Sequence, residues 1–447
     1  MALWGGAADV PWLRDLGADF APLSPGAALA VLLLATSFLA AGPALLAQPL
    51  PSARPQELGF NPERLDRIRQ WMQSEIAAKR VPGAVVMVVR DGKTAYYQAY
   101  GEQDPATGRP MARDSIFRIY SMTKPVVSVA AMMMVEEGKL LLEAPVSRYI
   151  PGFANLRVGV EKVDASGAKS LELVPMRRQM TVQDLLRHTS GLTYGFFGDS
   201  LVKKAYLDAG VGAGDFTSAE FVEKLATLPL HYQPGSTWDY SYSTDVLGRV
   251  LEVASGQSLG SLLQTRLFTP LGMKDTSFYV PEAPRQARIA EPFPEDRSFG
   301  AGATMGNPRV VQKFESGGGG LVSTADDYAR FLLMLASGGS LDGRRYLSPK
   351  TLEYMTSDHL GTSVATTPLY LPGPGYGFGL GFAVRKVNGE AAYVSPAGEY
   401  NWGGAGGTYM WVDPRNNMFV VFMMQSPKQR VPYRSLLRNM VYGAMER

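Results

Sequence analysis

Apolar and polar positions change period along the chain, and the changes predict strands toward both ends of the sequence with helices between them. Over Asn61–Ala78, Leu65, Ile68, Trp71, Met72 and Ile76 recur at helical spacing, and Asn61-Pro62-Glu63 supplies an N-cap and first turn. The stretch VPGAVVMVVRDGKTAYYQAYG, starting at Val81, reads as an apolar strand, an Asp91-Gly92 turn and a second strand. In FRIYSMTKPVVSVAAMMMVEEGKL, starting at Phe117, a short strand-like approach gives way to a long apolar helix closed near Gly138. A helix apolar on every side belongs at the centre of a protein.

Residues 126–300 read as mostly helical and loop-rich, with helices at Val182–His188, Ser218–Leu225, Thr244–Ala254 and Leu259–Phe268. A glycine run, Gly317–Gly320, precedes a helix over Ala325–Ala336. Strand patterns return in YGFGLGFAVRK, NWGGAGGTYMWVDP and MFVVFMMQ, and a helix over Arg434–Met445 closes the chain. The expected architecture is a two-part α/β (α+β) fold. Its mainly antiparallel sheet comes from the N- and C-terminal segments and is flanked by helices, with a mostly helical domain inserted. The expected divisions are 51–125 and 301–447 for the two parts of the α/β domain and 126–300 for the helical domain. An active site then belongs in the cleft between the two parts.

Residues 1–50 stand apart. No charged residue occurs from Phe20 to Ser52, and Gly26–Ala47 is long and apolar enough for a signal-peptide core or a minimal membrane span. Pro43 and the small residues around it favour a cleavable end near Ala47. The preceding stretch carries Asp9, Asp15 and Asp19 against a single Arg14, where export signals carry positive charge. The expectation is an exported protein, periplasmic or secreted, or one anchored to a membrane by residues 26–47, rather than a cytoplasmic one.

Composition narrows the chemistry. With 44 basic and 41 acidic residues, a net charge of +3 and no long basic run, the chain lacks an electrostatic footprint for nucleic acid. There is no cysteine, which removes disulfides, thiolate metal sites and cysteine nucleophiles. The three histidines, His188, His231 and His359, share no metal-ligand spacing and offer no obvious base for a Ser-His-Asp triad.

A serine nucleophile therefore needs another base, and Ser121-Met122-Thr123-Lys124 places one three residues away, on the same face of a helix. Unpaired N–H groups at a helix N-terminus would favour the negative charge that develops there, and Pro125 fits the first turn. S-x-x-K alone is a weak signal, because Ser166–Lys169 and Ser200–Lys203 match it too, the former in a polar loop and the latter at the start of a short solvated helix. Only the copy at 121 sits between a strand and a buried helix, where the competing role for Ser121 is a plain helix cap. Gly256-Gln257-Ser258-Leu259-Gly260 matches G-x-S-x-G but follows a helix rather than a strand, so Ser258 reads as a cap.

Two later segments give SMTK its company: Tyr240-Ser241-Tyr242, and Trp402-Gly403-Gly404. In this order the three resemble the motifs of the serine β-lactamase and penicillin-binding protein superfamily, nearest to the class C β-lactamase-like family VIII carboxylesterases. LLRHTSGL from Leu185, PLGM from Pro270 and GGGGLVSTADDYARF from Gly317 extend the resemblance over roughly residues 57–445. It implies that Ser121 forms an acyl-enzyme, that Lys124 and Tyr240 transfer its proton, and that the N–H groups of Ser121 and Ala405 form the oxyanion hole. Tyr242, Trp402, Gly403 and Gly404 would line the substrate site. Which of Lys124 and Tyr240 is the base stays open on sequence alone.

Two positions depart from the β-lactamase pattern. Tyr242 replaces the usual Asn, and Trp402 replaces a Lys that would meet a substrate carboxylate. Trp offers a flat apolar wall instead, which points to a neutral small-molecule ester of short-to-medium acyl chain. A β-lactamase, a D,D-peptidase or an acyltransferase would use the same residues, and a non-catalytic penicillin-binding sensor would need no proton shuttle. No cofactor is implied.

Overall fold

The computed structural model describes residues 49–296 and 305–446. The segment 26–47, and with it the expected signal peptide or anchor, lies outside them. Among the described residues no helix is long and apolar enough to cross a membrane.

The hairpin expected at Asp91-Gly92 is present. Strands Gly83–Arg90 and Lys93–Asp104 pair around a turn in which Asp91 and Gly92 have φ of 52° and 70°, the double positive φ that favours Asp-Gly in tight hairpins. Gly83–Arg90 also pairs along its length with Met418–Met424, from Ala84 opposite Met424 to Arg90 opposite Met418. The two ends of the chain thus meet at the centre of an eight-stranded antiparallel sheet. Its order is Tyr376–Phe378, Ala383–Arg385, Tyr400–Gly403, Tyr409–Asp413, Met418–Met424, Gly83–Arg90, Lys93–Asp104 and Arg109–Pro110.

Period-two alternation divides the two central strands between two hydrophobic layers. Val85, Met87, Val89, Val421 and Met423 join the core that contains the helices Thr123–Glu136 and Ala325–Ala336. Val86, Val88, Val420 and Phe422 pack with Ile68, Met72, Leu437 and Val441 from helices Arg67–Ala77 and Arg430–Gly443. Burial on both faces explains why these strands read as unbroken apolar runs. Helix Thr123–Glu136 is buried from Thr123 to Met134, as its all-round apolarity requires, and it runs unbroken through position 125.

The helical middle departs from expectation in one place: Arg157–Val163 and Lys169–Pro175 form a hairpin. Ser166 and Lys169 sit at its exposed turn. Ser200 caps helix Leu201–Asp208 as expected, but Lys203 is buried rather than solvated. Its ammonium donates to Thr193 Oγ1 at 2.9 Å and faces Asp239 at 3.7 Å. The last helix starts at Arg430, four residues before the expected Arg434, because Pro432 falls in its first turn, where a missing N–H costs nothing.

Candidate active site

The SMTK segment is clamped between chain regions far apart in sequence. Phe117–Arg118 pairs with Val322–Ser323, the Leu321 N–H donates to Thr123 Oγ1 at 3.1 Å, and Tyr328 Oη donates to the Met122 carbonyl at 2.9 Å. Ser121 lies in a single 3₁₀ turn, Tyr120–Met122, ahead of the helix. The helix N-cap is Met122, with no side-chain cap. Ser121 is therefore not a cap, whereas Ser258 is one, accepting from the Ser261 N–H between two helices. Tyr120, beside Ser121, has φ of 44°, in the left-handed region that a tyrosine rarely adopts. Such outliers persist where the surroundings enforce them; here the Tyr120 hydroxyl accepts from the Gly306 N–H at 3.1 Å.

Lys124 is 1 % exposed, and its Nζ lies 3.3 Å from Ser121 Oγ. The same nitrogen donates to Tyr194 Oη at 3.3 Å and to the Gly318 carbonyl at 2.6 Å. Among the described residues it forms no ion pair with a carboxylate. Tyr240 turns its ring face toward it, with the centroid 4.6 Å from Nζ. The Tyr240 ring is packed by His188, Tyr194 and Trp402, with centroids at 4.9, 5.3 and 5.4 Å, but among the described residues its buried hydroxyl has no hydrogen-bond partner. An orphaned buried hydroxyl costs free energy and marks a position where a ligand can supply the partner.

Trp402 is buried between Tyr240 and Phe378, the latter ring 5.3 Å away. The chain then turns at Gly404–Gly407 and lies directly on the approach to Ser121. A Cβ on Gly404 would come 2.4 Å from the Ile119 carbonyl oxygen, and one on Gly406 would press on the Tyr120 ring at 3.1 Å. Gly404 is thus required for close backbone approach, and Gly406 leaves room for the side chains of Tyr120 and Met305. Ala405 sits between them, and among the described residues neither its N–H nor that of Ser121 donates a hydrogen bond. Tyr242 stands one layer back, stacked edge-on against Tyr194 at 4.4 Å, with its hydroxyl donating to the Val211 carbonyl at 2.9 Å.

Sequence reasoning missed Tyr194, Gly318 and Asp245. Tyr194 follows LLRHTSGL by two residues, and that proximity was the available signal. The glycine run was visible but its purpose was not. Gly318 hands its carbonyl to Lys124 while its N–H donates to Asp245 Oδ1 at 3.0 Å, and Ser316 Oγ donates to the same oxygen at 2.5 Å. Burial pushes the Asp245 carboxyl up, with Lys124 pulling the other way. Burial and the nearby Asp245 and Tyr240 hold the Tyr194 phenol well above its usual range. Tyr194 is therefore a neutral hydrogen-bonding group.

The hydrogen bonds of the histidines lie away from Ser121 and Lys124, although His188 also packs on the Tyr240 ring. His188 is buried and contacts Ser241 Oγ at 3.3 Å, with burial holding its pKa well below the usual range. His231 pairs with Asp239 at 2.9 Å, and His359 donates to the Tyr354 carbonyl at 2.7 Å. Among the described residues no acidic and histidine cluster could hold a metal.

A half-buried Ser121 beside a buried Lys124, at the head of a central helix flanked by a large antiparallel sheet, fits a serine hydrolase of the β-lactamase/transpeptidase-like fold. The chain belongs to the beta-lactamase family, whose model matches residues 68–442. It is 38 % identical to Protein Rv1367c of Mycobacterium tuberculosis (strain ATCC 25618 / H37Rv), over 77 % of this chain and 85 % of that one. It is 33 % identical to Esterase EstB of Burkholderia gladioli, over 85 % and 95 %. Among solved structures it resembles EstCE1, described as a hydrolase with promiscuous acyltransferase activity. The TM-score is 0.69 at 28 % identity, covering 87 % of this chain and 99 % of that one. The protein is a hydrolase, an enzyme of carboxylesterase type on a β-lactamase scaffold.

Proposed function

We propose that the protein cleaves short-to-medium-chain carboxylic esters through an acyl-enzyme on Ser121, with Lys124 as the base and Tyr240 as the acid for the leaving alcohol. The observation that carries this is the set of partners around Lys124. Its Nζ lies 3.3 Å from Ser121 Oγ, within reach of the proton to be moved, and its bonds to the Gly318 carbonyl and Tyr194 Oη hold it there. Ser121 Oγ attacks the ester carbonyl while its proton passes to Lys124, and the N–H groups of Ser121 and Ala405 receive the oxyanion. Collapse of the tetrahedral intermediate expels the alkoxide, which takes a proton from the Tyr240 hydroxyl. Lys124 then returns the proton to Tyr240. Water adds to the acyl-enzyme by the same route in reverse, releasing the acid and restoring Ser121.

The substrate class rests on Trp402. Where a cation would meet a carboxylate, an apolar wall of Trp402, Tyr240 and Phe378 stands instead. This favours a neutral acyl group over a β-lactam or a peptide C-terminus. Acyl transfer to an alcohol is the second reading, supported by the activity ascribed to EstCE1. Export or anchoring through residues 26–47 completes the proposal, on the sequence pattern alone.

The test is hydrolysis of nitrophenyl acetate and butyrate by the wild type beside Ser121→Ala. Turnover that falls to background in the variant supports the proposal. Equal activity in both would remove Ser121 from the mechanism. An added alcohol that diverts product from acid to ester would establish transfer.

A further inference from the structure

Arg434 is a part-buried cation beside the Trp402-Gly403-Gly404 motif. It sits on helix Arg430–Gly443, and among the described residues it makes no ion pair. Among the described residues its buried Nε has no hydrogen-bond partner, and its guanidinium carbon lies 4.9 Å from the centre of the Tyr409 ring. Burial, with Arg430 adding repulsion, pulls its pKa down. The side chain is only part-buried, yet partly desolvating a charge that has no anion beside it is costly and calls for a reason. Among the described residues its side chain's one hydrogen bond runs from Nη2 to the Gly404 carbonyl oxygen at 3.1 Å.

That carbonyl belongs to the same peptide unit as the Ala405 N–H. The Gly407 N–H also donates to it at 3.1 Å, so two donors, one of them charged, fix the plane of the Gly404–Ala405 peptide. A cation on a carbonyl oxygen draws electron density through the conjugated amide and makes the attached N–H a stronger donor. Gly403 is shaped to allow it: a Cβ there would lie 2.4 Å from Arg434 Nη2 and 2.5 Å from its central carbon. The second residue of the Trp402-Gly403-Gly404 motif thus makes room for the guanidinium, and the third makes room for the Ile119 carbonyl.

We propose that Arg434 is a positioning residue of the oxyanion hole, holding and polarising the Gly404–Ala405 peptide so that the Ala405 N–H meets the developing oxyanion. This rests on the reading of Ser121 and Ala405 given above. The competing role is a staple between the helix and the strand end, and it predicts different measurements.

The experiment compares the full chain with Arg434→Met and Arg434→Lys, using neutral nitrophenyl esters and a phenylboronic acid, whose tetrahedral serine adduct mimics the intermediate. Arg434→Met is expected to lower kcat about tenfold, the loss of one charge-assisted hydrogen bond, with KM within about twofold. Boronate affinity should fall in parallel with kcat/KM, and Arg434→Lys should recover part of both. Gly403→Ala, which displaces the guanidinium without removing it, should give the same split and covers the case in which Arg434→Met does not fold. A folded Arg434→Met with unchanged kcat, a loss confined to KM, or boronate affinity unmoved while kcat falls would each overturn the inference. Fluorophosphonate labelling of Ser121 in the wild type separates the two levels. Labelling with an unaffected Arg434→Met sinks only the role of Arg434, whereas no labelling sinks the serine reading beneath it.

Discussion

Lys124 Nζ donates to the carbonyl oxygen of Gly318 at 2.6 Å, its shortest contact and one between residues 194 positions apart. The bond aims the amine at Ser121, and it depends on Gly318 having no side chain. A Cβ there would lie 2.2 Å from Asp245 Oδ2. Gly318→Ala is therefore expected to push the carbonyl off Lys124 and lower kcat by about tenfold to a hundredfold, the scale of a small misplacement of a catalytic group. Steady-state kinetics alongside a melting curve would check it; full activity in a folded variant would mean that this carbonyl does not orient the amine.

Tyr194→Phe keeps the ring that packs on Tyr240 and Tyr242 but removes the hydroxyl held by Lys124. The expected loss in kcat is about tenfold, one hydrogen bond to the base. Because the Tyr194 phenol is held well above its usual range, the limbs of the pH–rate profile should owe nothing to its titration. A limb that vanished in the variant would contradict this.

Lys124→Met should separate activity from stability. Loss of a general base costs about 10²–10⁴ in rate. Stability should hold or rise, since a polar group buried for catalysis is replaced by an apolar side chain of similar length. Thermal melts of the two proteins would show it. A variant markedly less stable than the wild type would make Lys124 a structural residue.

Asp327 supplies a pH test away from the site. It accepts from the Asp275 N–H at 2.7 Å and from Thr276 Oγ1 at 2.8 Å, yet burial pushes its carboxyl up to about 6. The folded state then binds a proton that an unfolded aspartate, with pKa about 3.9, releases. Between these values stability falls as pH rises, and the penalty is complete above about pH 6. Asp327→Asn keeps the acceptor and removes the titration. Relative to the variant, the wild type should lose about 2–3 kcal/mol between pH 4 and 7. Denaturant unfolding at the two pH values measures the difference; parallel pH dependences would refute it.

Much of the fold follows from local pattern. Strands buried on both faces and a helix apolar all round announce themselves in Gly83–Arg90, Met418–Met424 and Thr123–Glu136, because burial of every side chain leaves no polar position to blur the signal. The hairpin Arg157–Pro175 escaped because its strands are largely exposed, so polar residues occupy both faces. The same limit hid the burial of Lys203, whose partners Thr193 and Asp239 lie in other segments.

At the site, the sequence by itself determined which side chains could carry the chemistry: Ser121, Lys124, Tyr240 and Trp402 are residue types in motifs, and a motif is readable without coordinates. Tertiary structure alone decided what surrounds them. Lys124 is aimed by the Gly318 carbonyl, and the Ala405 peptide is held by Arg434 through the Gly404 carbonyl. A carbonyl belongs to every residue and leaves no trace in composition or spacing. Its role is set by where the chain is bent past itself, and that is fixed only when distant segments pack together.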